Sequence, residues 1–138
     1  LLSWWNRTDL PLRRSLNLIP DDTKLQHEME HRQGEKGMLL QWLDELGLLP
    51  DSWHDRNTER PLDTILTAAL VRACGRTASA LVSLQLDDIA GSDTPVNIPG
   101  TSNEYPNWRR KLPGTLNELF AQPAGQSLLT ALAQERPR

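Results

Sequence analysis

The sequence predicts part of an α/β fold in which most of this chain is helical. Three observations point there. Apolar residues recur at helical spacing in two stretches, around Leu39 and around Leu66. One run, Ala80 to Leu86, is short, apolar and bounded by breakers, the pattern of a mostly buried strand. A long loop then follows, from Asp87 to Gly114, carrying Pro95, Pro99, Pro106 and Pro113. A single strand cannot make a sheet, and a buried one flanked by helices needs parallel neighbours. The chain holds no second strand pattern. Either it is a piece of a larger α/β fold, or the run is not a strand and the piece is all helical.

Taken in order, Leu1 to Leu16 reads as a short helix, a break near Pro11 and a second turn. Asp21, Asp22 and Thr23 follow Pro20 as candidate N-caps. Lys24 to Lys36 is almost wholly polar, with Gly34 and Gly37 weakening any helix there. From Met38 the pattern sharpens: Met38, Leu39, Trp42, Leu43 and Leu46 share a face, and Gly47 stops the helix. After a polar loop, Pro61 opens a second helix in which Leu62, Ile65, Leu66, Ala69, Leu70 and Ala73 form the apolar stripe, ended by Gly75. The strand pattern and the long loop come next. The prolines stiffen that loop, and Ile98, Tyr105 and Trp108 make it an ordered, packed one. A helical turn from Thr115 to Phe120 and a last helix around Gln126 to Gln134 close the chain, and Arg136-Pro137-Arg138 should fray.

Composition narrows the function. With 138 residues, 38% hydrophobic and 24% charged, the chain fits one domain with a modest core. A net charge of −3 gives no electrostatic footprint for nucleic acid. No apolar run is long enough to span a membrane. The one cysteine, Cys74, cannot make an internal disulfide, which fits a reducing, cytoplasmic compartment; its apolar helical setting predicts a buried, inert thiol. The opening LLSWWNRTDL lacks the basic and apolar regions of a signal peptide, and also an initiator Met. The expectation is that the chain begins inside something larger or has been cut. Five tryptophans stand out: Trp4, Trp5, Trp42, Trp53 and Trp108. Helix packing is the plain reading for the first three, and sugar stacking the functional one.

Two motifs invite chemistry. His27-Glu28-Met29-Glu30-His31 matches the H-E-x-x-H zinc signature, in which two imidazoles share a helical face. Its flanks, Lys24, Gln26, Arg32 and Gln33, are polar, and the remaining histidine, His54, lies beyond the next helix. A solvated, charge-laced helix explains the motif better than a metal centre, and no metal or cofactor is expected. Asp87 and Asp88 sit at the C-terminal end of the strand pattern, the edge where α/β folds place catalytic groups; turn capping is the plainer role. No paired carboxylates for glycoside chemistry are evident. The stretch Asn97-Ile98-Pro99-Gly100-Thr101 combines an amide with donors and acceptors and a tight turn that can bring backbone near a ligand. A binding loop and a structural loop fit it equally.

That loop carries a resemblance. Val96-Asn97-Ile98-Pro99-Gly100-Thr101, then Glu104-Tyr105-Pro106-Asn107-Trp108-Arg109-Arg110-Lys111-Leu112, resembles the V-N-x-P-G-T and E-Y/H-P-N-W-R-R stretches near the end of the 4-α-glucanotransferases, or amylomaltases. Leu81 to Ile89 looks like that family's final barrel strand, and Trp4-Trp5-Asn6-Arg7-Thr8-Asp9-Leu10 is similar to its G-W/Y-W-x-x-R-D-L segment. The resemblance touches both ends, while Lys24 to Arg60 carries little of it.

The resemblance implies the C-terminal part of a (β/α)₈ TIM barrel: residues 1–78 mainly helical, 79–114 the eighth strand with a long active-site loop, and 115–138 closing helices. It implies transfer of an α-1,4-glucan segment to the 4-hydroxyl of an acceptor glucose or maltooligosaccharide by retaining double displacement. Family carboxylates lie upstream of this segment, the third in an H-D-x-P-T stretch just before the paired tryptophans. The piece alone is therefore expected to be inactive and to need the rest of the barrel. Asn97 would touch sugar, with Pro99, Gly100 and Thr101 shaping the wall. Trp108, Arg109 and Arg110 would anchor the loop. The alternative is a non-catalytic helical binding or interaction module.

Overall fold

A computed structural model describes residues 1–53 and 55–136. His54, the third imidazole weighed above, and Pro137 and Arg138 of the tail lie outside the described residues. The elements are α1 (Leu2–Asn6), α2 (Asp9–Ser15), α3 (Asp22–Glu45), a 3-10 turn (Asp51–Trp53), α4 (Thr64–Gly75), α5 (Leu86–Ile89), α6 (Leu116–Ala121) and α7 (Pro123–Glu135).

Local chemistry sets most boundaries. The Asp21 carboxylate accepts the Lys24 N–H at 2.7 Å and starts α3. At the other end Gly47 N–H bonds Asp44 O at 2.8 Å and Leu48 N–H bonds Leu43 O at 3.0 Å, the paired bonds of a Schellman stop. Asp63 caps α4 by accepting from Leu66 N–H at 2.9 Å. The helix therefore starts three residues after Pro61, which stands outside it instead of opening it. Thr115 and Glu118 form a reciprocal capping box on α6, and Pro123 takes the first position of α7.

α3 runs unbroken through Gly34 and Gly37. Each glycine costs about 1 kcal/mol relative to alanine, so tertiary contacts must hold the polar half. They do. Arg32 grips the Asp9 carboxylate with both terminal nitrogens, at 3.1 and 3.2 Å, and bonds Trp4 O at 2.8 Å. Gln33 meets Arg7 at 2.9 Å and Glu59 at 2.7 Å. Lys36 is 2% exposed. The apolar half packs through Leu39, Leu40, Leu43 and Leu46, while Met38 and Trp42 face outward. The helical face is thus rotated from the stripe expected in sequence.

The core has two parts that share α4. Trp5, Leu40, Leu43, Leu48, Trp53, Leu66, Ala69, Leu70 and Ala73 form the first. Val71, Ile89, Leu119, Leu128 and Ala131 form the second, against α7. Gly125 lets α7 meet α6: a Cβ there would lie 2.4 Å from Leu119 O. Glu135 closes the α4–α7 contact by accepting from Arg72 at 2.7 Å and Arg76 at 2.9 Å. Arg136, expected to fray, bonds the carbonyls of Gly75, Thr77 and Ser79 at 2.9, 2.8 and 2.7 Å. Cys74 lies on the exposed side of α4, not in the core.

The strand expected over Ala80–Leu86 is not formed, and no strand occurs among the described residues. The backbone of this run makes no ladder, and Leu86 instead opens α5. The physical reason is partnership: an extended segment becomes a strand only when a neighbour supplies matching N–H and C=O groups. Alternation survives even so. Val82, Leu84 and Leu86 are half-buried, the residues between them are exposed, and Leu81 is 89% exposed. No helix among the described residues is long and apolar enough to cross a membrane.

Candidate functional site

The loop between α5 and α6 lacks regular structure, so side chains hold its shape. Asn107 is the central lock. Its Oδ1 accepts from Ile98 N–H at 2.8 Å, and its Nδ2 donates to Thr101 O at 3.2 Å and Thr101 Oγ1 at 2.8 Å. The Thr101 hydroxyl donates to Ile98 O at 2.7 Å. Tyr105, buried, donates its phenol to Pro95 O. Arg110 spreads its guanidinium over Thr94 O, Pro95 O and the Tyr105 hydroxyl at 3.0, 2.7 and 2.7 Å. Ile98 is the apolar plug beneath. Gly100 turns the chain at φ 91°, a conformation glycine adopts readily, and its α-carbon faces Leu18.

One wall of a cleft of about 630 Å³ is built from this loop. Asn97, Pro99 and Trp108 line it, with Leu1 and Ser3 of the α1 end and Asp87 and Asp88 of α5 opposite. The Asn97 side-chain amide makes no hydrogen bond to another described residue, so its donors and acceptor are available to a ligand. Gly100 and Thr101 do not line it; Arg109 is exposed, and Arg110 braces the loop from outside the cleft. Trp108 joins the loop through its backbone. Its backbone N–H bonds Val96 O at 3.0 Å, but its side chain is 72% exposed.

The first tryptophan segment positions the opposite side. Trp5 is 1% exposed, donates its indole N–H to Arg60 O at 2.7 Å and carries the Lys36 ammonium over its ring. Arg32 lies 4.7 Å over Trp4. Thr8 then reaches across to the loop, donating to the Asp93 carboxylate at 3.0 Å. Asp93 thus ties the N-terminal segment to the loop, although nothing in sequence sets it apart from other loop aspartates. Asn107 was also missed as the lock, though an Asn at a tight turn is a usable signal.

The cleft lining is largely apolar and carries two carboxylates, Asp87 and Asp88. Among its described lining residues there is no Lys, Arg or His. Asp87 and Asp88 are chain neighbours in one turn, not a facing pair, and Asp88 Oδ1 accepts from the Leu1 amino group at 2.6 Å. Nearby, Ser102 N–H donates to Glu104 at 2.7 Å, and such backbone bonds hold the Glu104 carboxyl below the usual glutamate range. This arrangement can hold a neutral, hydroxyl-rich ligand. It offers no carboxylate pair across the gap for bond cleavage.

The H-E-x-x-H stretch sits elsewhere, on α3. Lys24 pairs with Glu28 at 2.8 Å and His31 lies 3.6 Å from Glu35, giving a charge-laced helical face. The Lys24 bond comes first among the causes that lower the Glu28 carboxyl.

Comparison with known proteins adds to the geometry. A family profile described as 4-alpha-glucanotransferase matches residues 1–117. The chain is 27% identical over 136 residues to a 4-alpha-glucanotransferase of Haemophilus influenzae, covering 99% of this chain and 19% of that protein. It is 35% identical over 118 residues to 4-alpha-glucanotransferases of Mycobacterium bovis and Mycobacterium tuberculosis, covering 86% of this chain and 14% of each of those. The chain therefore spans less than one fifth of the length of these relatives.

Proposed function

The chain belongs to the 4-alpha-glucanotransferase family, and we propose that it supplies one wall of such an enzyme's glucan cleft. In this reading the whole enzyme transfers an α-1,4-glucan segment to the 4-hydroxyl of an acceptor glucose or maltooligosaccharide by retaining double displacement. The chain forms the last helices and final loop of a (β/α)₈ barrel, and Ala80–Leu86 is the eighth strand once barrel neighbours pair with it. Asn97 bonds sugar hydroxyls, and Pro99, Gly100 and Thr101 give the wall its contour. Carboxylates that break the bond come from the remainder of the enzyme.

A single observation carries the reading: Asn97, whose amide makes no hydrogen bond to another described residue, shares a cleft of about 630 Å³ with Pro99 and Trp108, inside the matched segment. A lining without a Lys, Arg or His side chain suits an uncharged glucan over a phosphorylated ligand. The test uses the 138-residue chain. Maltoheptaose titrated against it by NMR should move the Asn97 side-chain amide signals, and Asn97→Ala should weaken binding. Maltotriose incubated with the chain alone should yield no glucose. Absence of any binding sinks the cleft assignment, and glucose release sinks the assignment of the carboxylates to the remainder of the enzyme.

A further inference from the structure

Trp108 is an indole that the fold holds outward at a cost. Its backbone sits at φ 59°, in the left-handed region, where a non-glycine residue costs on the order of 1–2 kcal/mol. Its side chain is 72% exposed, so little burial against the described residues offsets that cost. Loop anchoring, its expected role, is performed by its neighbours: Tyr105 fills the interior, Asn107 ties Ile98 to Thr101, and Arg110 clamps Thr94 and Pro95. Those locks fix the chain on both sides of Trp108, and its N–H is itself pinned to Val96 O. A large rigid aromatic is thus displayed on a braced loop, on the same cleft as Asn97 and Pro99.

Strain held in place by surrounding bonds, with an exposed side chain at a cleft, marks a position kept for a ligand. We propose that Trp108 is a stacking platform for the flat, C–H-lined face of a glucosyl ring whose hydroxyls are read by Asn97. The proposal deepens the glucan-cleft reading and rests on it. An indole offers a broad apolar face with little rotamer entropy to lose, and an edge-on amide beside it supplies orientation. The lining carries the Asp87 and Asp88 carboxylates and no Lys, Arg or His side chain, which disfavours a phosphate or nucleotide as the stacked group.

Four variants of the 138-residue chain decide it, each titrated with maltoheptaose. Trp108→Leu keeps a bulky apolar side chain without the flat face and should weaken binding roughly five- to tenfold. Trp108→Phe should recover most of it. Trp108→Gly relieves the left-handed backbone, so it should hold or raise Tm while also weakening binding. A merely structural Trp108 would move stability and binding together. Asn97→Ala separates the two readings. If Asn97→Ala weakens binding and Trp108→Leu does not, the platform is overturned and the glucan cleft stands. If the unsubstituted chain shows no binding, both fall.

Discussion

The Lys36 ammonium sits 4.6 Å from the centre of the Trp5 ring, with both residues almost wholly buried. Burial is the first cause that pulls the Lys36 amine below its ordinary value of 10.5; Glu59 opposes the shift and Arg7 adds to it. The charged form is therefore disfavoured in the folded chain despite the aromatic face beneath it. Lys36→Met, which keeps volume and removes the charge, should leave stability at neutral pH within about 1 kcal/mol of the parent or raise it. The sign with pH follows from the lowered value. Both states are charged below the folded value, so the penalty is full there, and it fades as pH rises toward 10.5. Wild type should gain on Lys36→Met along that climb. Urea denaturation of the pair between pH 7 and the alkaline limit of folding measures it, and a widening deficit of wild type would refute the argument.

Asn107 closes the loop through three bonds, and one of its partners is the N–H of the buried Ile98. Asn107→Leu leaves that donor without an acceptor in a dry place, which costs about 1–3 kcal/mol. Amide exchange at Ile98 and Thr101 should accelerate sharply, while amides in α4 keep their protection. Unchanged exchange at Ile98 would mean another group holds the turn.

How much of this was legible in the sequence depends on what each feature needs from far away. Caps are local, so Asp21 and the stop at Gly47 could be read from composition and spacing. The α4 stripe was readable too, because Leu66, Ala69, Leu70 and Ala73 obey helical periodicity on one dominant face. α3 was harder. Its polar half looks unfit for a long helix until Asp9, Glu59 and the Trp5 ring arrive to receive Arg32, Gln33 and Lys36. The short apolar run Ala80–Leu86 has the side chains of a buried strand but not the ladder, and the ladder requires a partner that the described residues do not supply. At the site, Asn97 and Pro99 were legible as a polar turn. For Trp108 the sequence leaves sugar stacking and loop anchoring open, because the choice turns on which neighbours hold the loop, and Tyr105, Asn107 and Arg110 share that work only in three dimensions.

Gly125 tests how closely α6 and α7 approach. An added Cβ would meet Leu119 O at 2.4 Å and Ile89 Cγ2 at 3.3 Å. The first contact is with backbone, which cannot swing away as a side-chain tip can. Gly125→Ala gains helix propensity of about 1 kcal/mol, yet the clash forces the two helices apart and should dominate, for a net loss of roughly 1–3 kcal/mol. Thermal denaturation gives the answer. An unchanged or raised Tm would show that the helices can separate without cost to the Val71, Ile89 and Leu128 core.

Glu135 joins Arg72 and Arg76 of α4 to the end of α7. Its carboxyl is held below the ordinary value of 4.5, first by the Arg76 bond and then by Arg72. A lowered carboxyl value means that the unfolded state binds the proton more readily. The stabilisation is complete above 4.5 and is lost as pH falls through the folded value. Glu135→Gln should therefore lower Tm at neutral pH, and the gap to wild type should close under acid. Glu28, Glu104 and Glu118 are lowered as well, by Lys24, by the Ser102 N–H and by the Thr115 N–H respectively. The substitution should then flatten only part of the acid limb. Denaturation series from neutral to acid pH separate the cases: a gap independent of pH would show that Glu135 acts through packing on Gly75 instead of through its charge.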